Sequence, residues 1–221
     1  MTNNDSAGLS DAGLSSRQQA TAAIAAFTAA GHLPRLREAL TDGLDAGLTI
    51  GEINEILVQM YAYAGFPRSL NGIGTFMAVV EERRAKGVID PAGAEPTPLP
   101  AGTDILELGT ENQTRLIGAP VTGPLFDFAP AIDRFLKTHL FGDIFGRDTL
   151  DWQSREIATV AALANLDGVE SQLRSHMAIA LNTGLTEANL RGLVSVLQAR
   201  IGQARADRAR DVLDEVLANN R

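Results

Sequence analysis

The 221-residue sequence contains no cysteine, which excludes disulfides, thiolate metal ligands and thiol-based catalysis within these residues. It has three histidines and they share no close spacing, so a histidine-rich metal site is not expected. No apolar run approaches the roughly 20 residues of a membrane span. The formal charge of −8 argues against a nucleic-acid-binding surface. We therefore expect no metal, no nucleic-acid partner and no membrane association.

The N-terminal sequence Met-Thr-Asn-Asn-Asp-Ser is polar and lacks the charged and apolar regions of a signal peptide. A cytoplasmic location is the expectation that follows. Hydrophobic residues make up 45% of the chain, which is enough to form a substantial core. The sequence contains no P-loop, no dinucleotide-binding fingerprint and no nucleophile elbow, so we expect no cofactor.

Apolar residues recur with helical spacing along most of the chain, and no segment alternates convincingly as a strand does. We therefore predict an all-α fold. Thr49 and Glu52 form a capping box in front of a buried stripe, which consists of Ile53, Ile56, Leu57 and Met60. A helix from about Arg68 to Arg84 is expected to bury Ile73, Phe76, Met77 and Val80. Helical spacing from about Phe128 is expected to bury Ile132, Phe135, Leu136 and Leu140, before a turn-rich junction at 142–147.

The chain contains one helical hairpin twice. A shift of 137 positions, which takes Gly47 to Gly184, also superimposes Leu36-Arg37 on Leu173-Arg174 and Gly65 on Gly202. We divide the chain into a first repeat at 15–86, a linker at 87–125 and a second repeat at 126–221. The part of the linker rich in Pro and Gly is expected to be extended. Differences between the copies indicate where chemistry resides, and the sharpest is His176, which aligns with Ala39.

Two strings resemble the carboxymuconolactone decarboxylase family, which also contains the alkylhydroperoxidase-D-like proteins. One is Gly142-Asp143-Ile144-Phe145-Gly146-Arg147, followed by Ser154-Arg155-Glu156 and Leu173-Arg174-Ser175-His176. The other is Tyr63-Ala64-Gly65-Phe66-Pro67-Arg68-Ser69-Leu70-Asn71. The resemblance implies a duplicated all-helical hairpin and a homo-oligomer, and two repeats per chain suggest a trimer.

The resemblance implies two possible chemistries. One branch of the family reduces peroxides or disulfides with a Cys-x-x-Cys pair, but Val169 and Gln172 stand where the thiols would be. Thiol peroxidase activity is therefore disfavoured. The other branch releases carbon dioxide from a lactone acid without a cofactor, which implies a lyase acting on a small carboxylated lactone or a related anionic metabolite. The alternative is a non-catalytic oligomeric scaffold that kept the fold and lost the chemistry.

The resemblance places His176 and Glu156 as catalytic residues. A histidine with a pKa near neutrality can deliver the proton that a decarboxylation adds to carbon, and Glu156 can orient it or relay the proton. The alternative for His176 is an ordinary core histidine with its hydrogen bonds satisfied. The alternative for Glu156 is an acid in the first turn of a helix capped by Asp151.

Four further residues are expected to bind the substrate: Arg147, Tyr63, Asn71 and Arg68. Arg147 offers a planar fork for a carboxylate, although it could equally be a surface side chain or pair with Asp148 or Asp151. Tyr63 and Asn71 flank the break at Gly65-Phe66-Pro67, where exposed backbone groups can line a pocket. They could instead fill core space and hydrogen-bond to the turn. If the repeats pair as pseudo-symmetric hairpins, this break could face His176 within or between subunits.

Overall fold

The computed structural model describes residues 13–219, which form α-helices and one π-helix and contain no strand. The first repeat contains α1 (Ser16–Ala30), α2 (Leu33–Asp45), α3 (Ile50–Gln59), the one-turn α4 (Tyr61–Ala64) and α5 (Phe66–Ala85). The middle of the chain contains α6 (Ile105–Ile117), α7 (Pro124–Phe128), α8 (Pro130–Phe135) and the π-helix (Leu136–Ile144). The second repeat continues with α9 (Trp152–Ala164), α10 (Glu170–Asn182), α11 (Glu187–Arg200) and α12 (Gln203–Asn219). The all-α prediction is confirmed, and no helix within 13–219 is both long and apolar enough to cross a membrane.

The core forms where α1 of the first repeat packs against α9 of the second. Both helices are rich in alanine and almost every residue after their first turn is buried. Small side chains let the two backbones approach closely, so the helices share one apolar cluster instead of forming two separate cores. Helix α2 packs on α1 as α10 packs on α9, and this places the two hairpins on either side of the central pair.

Matched local contacts confirm that the two hairpins are copies. Ser15 caps α1 and Asp151 caps α9, each by accepting a hydrogen bond from a backbone N–H three residues later. In α1, the side chain of Arg17 donates to the carbonyl of Gly47, just beyond the end of α2. In α9, the side chain of Gln153 donates to the carbonyl of Thr183, just beyond the end of α10. The donor and the acceptor are 30 residues apart in both copies.

The first repeat matches the predicted helices closely, with one exception. The capping box of Thr49 and Glu52 is present, and the four stripe residues that follow it are fully buried. In α5, Phe76 is buried and Ile73 and Val80 are half-buried, but the inward prediction for Met77 is wrong because this residue is 60% exposed. Met77 lies one residue, about 100°, around the helix from Phe76 and so falls outside the face that α2 and α3 cover.

The prediction for 128–147 is wrong in its geometry. Ile132 and Phe135 are exposed, and only Leu140 of the predicted stripe is fully buried. Pro130 starts a new short helix, after which the chain continues as the π-helix. The wider π turn changes which side chains share a face, so a stripe drawn with α spacing fails. Close packing holds this segment on α6, where a Cβ on Gly109 would lie 1.7 Å from the carbonyl oxygen of Lys137.

The Pro-rich linker forms no helix or strand between 88 and 103, and it is hydrogen-bonded to the body of the protein. The carbonyls of Pro91 and Ala92 accept hydrogen bonds from the backbone N–H groups of Ile50 and Gly51, at 2.9 and 2.8 Å. These donors belong to the first turn of α3 and have no partner within that helix. The linker therefore satisfies the N-terminus of α3 and is tied to the first repeat.

Candidate functional site

Glu156 and His176 meet where α9 packs against α10. Nδ1 of His176 lies 2.8 Å from Oε2 of Glu156, although the two residues are 20 positions apart. The Glu156 side chain is completely buried, whereas the His176 side chain retains 10% of its exposure. The small exposed surface of the pair therefore belongs to the imidazole.

The pair has spare hydrogen-bonding capacity. In the tautomer in which Nδ1–H of His176 donates to Glu156, Nε2 is the nitrogen that can exchange a proton with a ligand. Nε2 makes no hydrogen bond with any residue in 13–219. The second carboxylate oxygen, Oε1 of Glu156, is buried and also lacks a partner among the described residues. Buried polar atoms are normally satisfied, so an orphaned oxygen beside a histidine is typical of a functional site rather than of a stable core.

Tyr63 contributes from the first repeat. Its ring meets the imidazole of His176 edge to face, with the ring centroids 5.5 Å apart. Its hydroxyl is buried close to Thr159 without a well-formed hydrogen bond. Burial, followed by the charge of Glu156, raises the pKa of Tyr63 far above that of a free tyrosine. Tyr63 therefore stays protonated, and its hydroxyl can donate a hydrogen bond to a nearby oxygen.

Replacing Tyr63 with phenylalanine should remove a pH dependence of stability. Because the folded pKa of Tyr63 lies above the unfolded value of about 10, this residue stabilises the fold fully below that pH and progressively less above it. Above about pH 10, the unfolding free energy of the wild type should fall by about 1.4 kcal/mol per pH unit relative to that of Tyr63→Phe. Urea unfolding of both proteins between pH 8 and 11.5 measures this difference. Parallel curves over the whole range would contradict the assignment.

A buried ionic network lies beside the pair. Arg155, the residue before Glu156, has no exposed surface. Its guanidinium donates to Oε1 of Glu55 at 3.2 Å and to the side-chain carbonyl of Gln59 at 3.0 Å. Burial lowers the pKa of Arg155 while Glu55 opposes the shift, and an arginine remains charged in either case. Gln59 in turn donates to Thr159 at 2.8 Å, which connects the network to the surroundings of Tyr63.

Arg147 joins the same network from the surface side. Its Nε donates to Oε1 of Glu55 at 2.8 Å, and this hydrogen bond raises the pKa of Arg147. Arg147 therefore pairs with Glu55, and not with Asp148 or Asp151, the partners considered from the sequence. The side chain is 45% exposed, and its two terminal nitrogens make no hydrogen bond with the described residues. Arg147 lines a cavity of about 390 Å³ together with Phe145 and Trp152, and neither Glu156 nor His176 lines this cavity.

The structure brings Tyr63 to the pair but shows no contact between the pair and the other two expected substrate-binding residues. Asn71 is exposed on α5, where its backbone carbonyl accepts from Thr75. Arg68 is half-buried beside Gly31 at the end of α1. Among the residues described, neither touches Glu156 or His176.

Sequence reasoning missed Glu55 and Gln59, which hold Arg155 in the interior. The spacing of four residues between them places both side chains on one face of α3. Their partner in α9 lies about 100 residues away in sequence, so no local pattern links them. The sequence feature that could have indicated this network is Glu55, a glutamate beside the buried apolar residues of α3.

Comparison with known proteins decides the family. The profile described as the carboxymuconolactone decarboxylase family matches residues 1–75 and 130–215, well over half of the chain. The chain belongs to this family. It is also 28% identical over 92 residues to a protein of Acinetobacter baylyi named 4-carboxymuconolactone decarboxylase, an alignment that covers 42% of this chain and 68% of that protein. The two matched segments fall on the two structural repeats, as expected for a two-repeat member of the carboxymuconolactone decarboxylase family.

Proposed function

We propose that this protein is a cofactor-independent lyase that releases carbon dioxide from a small carboxylated lactone or a related anionic metabolite by proton transfer. The observation that carries the proposal is the buried Glu156–His176 pair, whose imidazole retains 10% of its exposure. Membership of the family supports a decarboxylase-like activity, and the name of the Acinetobacter relative supports the substrate class.

The proposed reaction begins when the bond between the substrate carboxylate carbon and its neighbour breaks and carbon dioxide leaves. The electron pair of that bond passes into the conjugated carbonyl of the substrate, which serves as the electron sink. His176 then gives a proton from Nε2 to carbon, and Glu156 stabilises the imidazolium form through Nδ1. The protonated hydroxyl of Tyr63 supplies a hydrogen bond to the oxygen on which negative charge develops. The imidazole regains its proton from solvent.

Substrate binding is proposed to use a guanidinium with a fixed orientation. Glu55 holds the Nε of Arg147, so the two terminal nitrogens are available to a carboxylate. The cavity beside Arg147 and the Glu156–His176 pair lie at the same end of α9, since Trp152 of the cavity precedes Glu156 by about one helical turn. Asn71 and Arg68 have no contact with the pair within one chain, so their proposed role requires that they act across a subunit contact.

The test is a panel of muconolactone-type acids, each assayed for carbon dioxide release beside its methyl ester. We expect stoichiometric release from at least one free acid and none from its ester, because the ester has no carboxylate to lose. Arg147→Gln should raise the KM by about tenfold or more with a smaller effect on kcat, as expected for a binding contact. Arg174→Gln, which changes an exposed arginine paired with Glu215, is the matched control and should leave KM unchanged. Absence of turnover on the whole panel would overturn the proposal.

A non-catalytic scaffold is the second candidate. It is favoured by one observation: Glu156 and His176 line none of four cavities that residues in 13–219 form, including the one beside Arg147. On this account the pair is a polar contact between two helices and nothing more. The same panel distinguishes the candidates, since a scaffold turns over none of the acids.

Self-association into a trimer is proposed as the assembly, with a cytoplasmic location. Large apolar side chains remain exposed on the short helices before the π-helix, among them Leu125, Phe128 and Phe135 at 67%, 90% and 62% exposure. Exposed apolar groups of this size are typical of surfaces that bind another protein copy. Sedimentation equilibrium measures the state, and a monomer would contradict it.

A further inference from the structure

A cavity of about 510 Å³ lies between α1 and α2 of the first repeat and α11 of the second. Its lining combines small apolar side chains, a few uncharged polar side chains and an ion pair. Among the lining residues are Gln19, Ala20, Asp42, Gly192, Val196 and Arg200. This volume is within the range of about 300–1,000 Å³ that small-molecule sites occupy in proteins.

The cavity is the pseudo-symmetric counterpart of the Glu156–His176 site. In the second repeat, α9 packs on α3 and α4 of the first hairpin, and His176 of α10 contacts Tyr63 of α4. In the first repeat, α1 packs on α11 of the second hairpin, and Asp42 of α2 pairs with Arg200 of α11. Glu156 is the fifth residue after the cap Asp151, and the fifth residue after the equivalent cap Ser15 is Ala20. The shift that relates Gly47 to Gly184 takes Tyr63 to Arg200.

Two registers that differ by one residue relate the copies: the helix caps relate α1 to α9 by a shift of 136 positions, and Gly47 relates the later helices by a shift of 137. The first register gives Ala20 and Gln19 as the counterparts of Glu156 and Arg155. The second gives Ala39, Gly192, Val196 and Arg200 as the counterparts of His176, Glu55, Gln59 and Tyr63. All six site residues therefore differ between the copies. Gln19, Ala20, Gly192 and Val196 line the cavity and are each smaller than the residue that they replace, which accounts for part of its volume. Arg200 brings a cation to the position that Tyr63 occupies in the other copy.

The side chain of Arg200 determines which type of ligand this cavity can bind. Its Nη2 donates to Asp42 at 2.7 Å, while its Nε and Nη1 make no hydrogen bond with any residue in 13–219. The side chain is 34% exposed, so a ligand can reach these two donors. A carboxylate matches the planar geometry of a guanidinium edge, and the aliphatic wall formed by Ala20 and Val196 suits an apolar body. No histidine or glutamate lines the cavity, so it offers no proton-transfer pair.

We propose that the chain keeps a separate binding site between the two repeats, in which Arg200 of α11 holds a small organic carboxylate without turning it over. Duplication gave the chain two equivalent positions, of which one carries the Glu156–His176 pair and the other a guanidinium beside a cavity with a mixed polar and apolar lining. The proposal is independent of whether Glu156 and His176 are catalytic, because it depends only on the cavity and on Arg200.

The test measures benzoate binding to the full chain by titration calorimetry, with benzamide as the uncharged probe. We expect saturable benzoate binding that Arg200→Gln weakens by about tenfold or more, and much weaker binding of benzamide. Ala199→Trp, which places an indole in the cavity without touching the ion pair, should abolish the same binding. Arg191→Gln is the matched control, because Arg191 lies on the same helix and pairs with Glu187 and Asp214 outside the cavity.

The variants also separate this site from the proposed active site. Benzoate binding that survives in Arg147→Gln and His176→Ala but is lost in Arg200→Gln assigns the ligand to the cavity between α1, α2 and α11. Binding lost in Arg147→Gln and retained in Arg200→Gln would overturn the proposal, as would equal weakening by Arg191→Gln. Absence of benzoate binding up to about 10 mM would overturn it as well, and would leave the decarboxylation assay unaffected.

Discussion

Replacing Glu55 with alanine is expected to destabilise the protein by about 3–5 kcal/mol. Glu55 is 4% exposed and is the only acidic residue in 13–219 that contacts the fully buried guanidinium of Arg155. Without it, Arg155 keeps its charge in the interior with only neutral partners, Gln59 and the carbonyl of Arg147. A buried charge without a counter-charge is among the most destabilising defects that a single substitution produces.

Urea unfolding followed by far-ultraviolet circular dichroism measures this loss. The matched control is Glu215→Ala, which removes the acid of an exposed pair with Arg174 and should change the unfolding free energy by less than about 1 kcal/mol. The double variant Glu55→Ala/Arg155→Met should recover much of the lost stability, because it also removes the buried positive charge of Arg155 that has lost its counter-charge. Equal losses for Glu55→Ala and Glu215→Ala would contradict the role of the buried network.

Replacing His176 with alanine is expected to lower kcat for decarboxylation by about 10²–10⁴-fold. The substitution removes the group that delivers a proton to carbon and leaves Glu156 buried without its partner. His139→Ala is the matched control, since His139 is 51% exposed and pairs with Asp143 on the π-helix. Carbon dioxide release measured with the best acid of the panel should be unchanged in that variant. A kcat for His176→Ala within about twofold of the wild-type value would contradict a role for the imidazole in the reaction.

The fold was predictable from sequence because the helices are marked at their ends by local chemistry. Thr49 and Glu52 together form a capping box, and Asp151 caps its helix without such a partner. Each of these side chains accepts a hydrogen bond from a backbone N–H group three residues away, so the sequence pattern lies beside the helix end that it predicts. The duplication was predictable for the same reason, since Gly47 and Gly184 both end a helix with a positive φ that only glycine adopts easily.

The segment from Phe128 to Arg147 was not predictable by the same means. Its π-helix depends on the approach of α6, whose Gly109 lets the carbonyl of Lys137 come so close that a side chain would clash. This contact is tertiary, and apolar spacing cannot reveal it. The exposure of Met77 has a similar origin, because the width of the buried face of α5 depends on which helices cover it.

The candidate site was predictable in part. The resemblance to the family identified His176 and Glu156, and the structure brings them to hydrogen-bonding distance. Residue types alone favoured a core histidine and a first-turn acid, because neither residue has a partner nearby in sequence. Arg155 shows the limit of such reasoning: an arginine is expected at the surface, and only the distant Glu55 explains how this one is buried.

The most direct test of the proposed proton-transfer pair is a double-mutant cycle on kcat/KM for carbon dioxide release. It compares the wild type, Glu156→Gln, His176→Ala and the double variant. If Glu156 acts only through the imidazole, the double variant should be no slower than His176→Ala alone, and Glu156→Gln should have lost part of the same activity. Losses that multiply as though the two residues were independent would contradict the account.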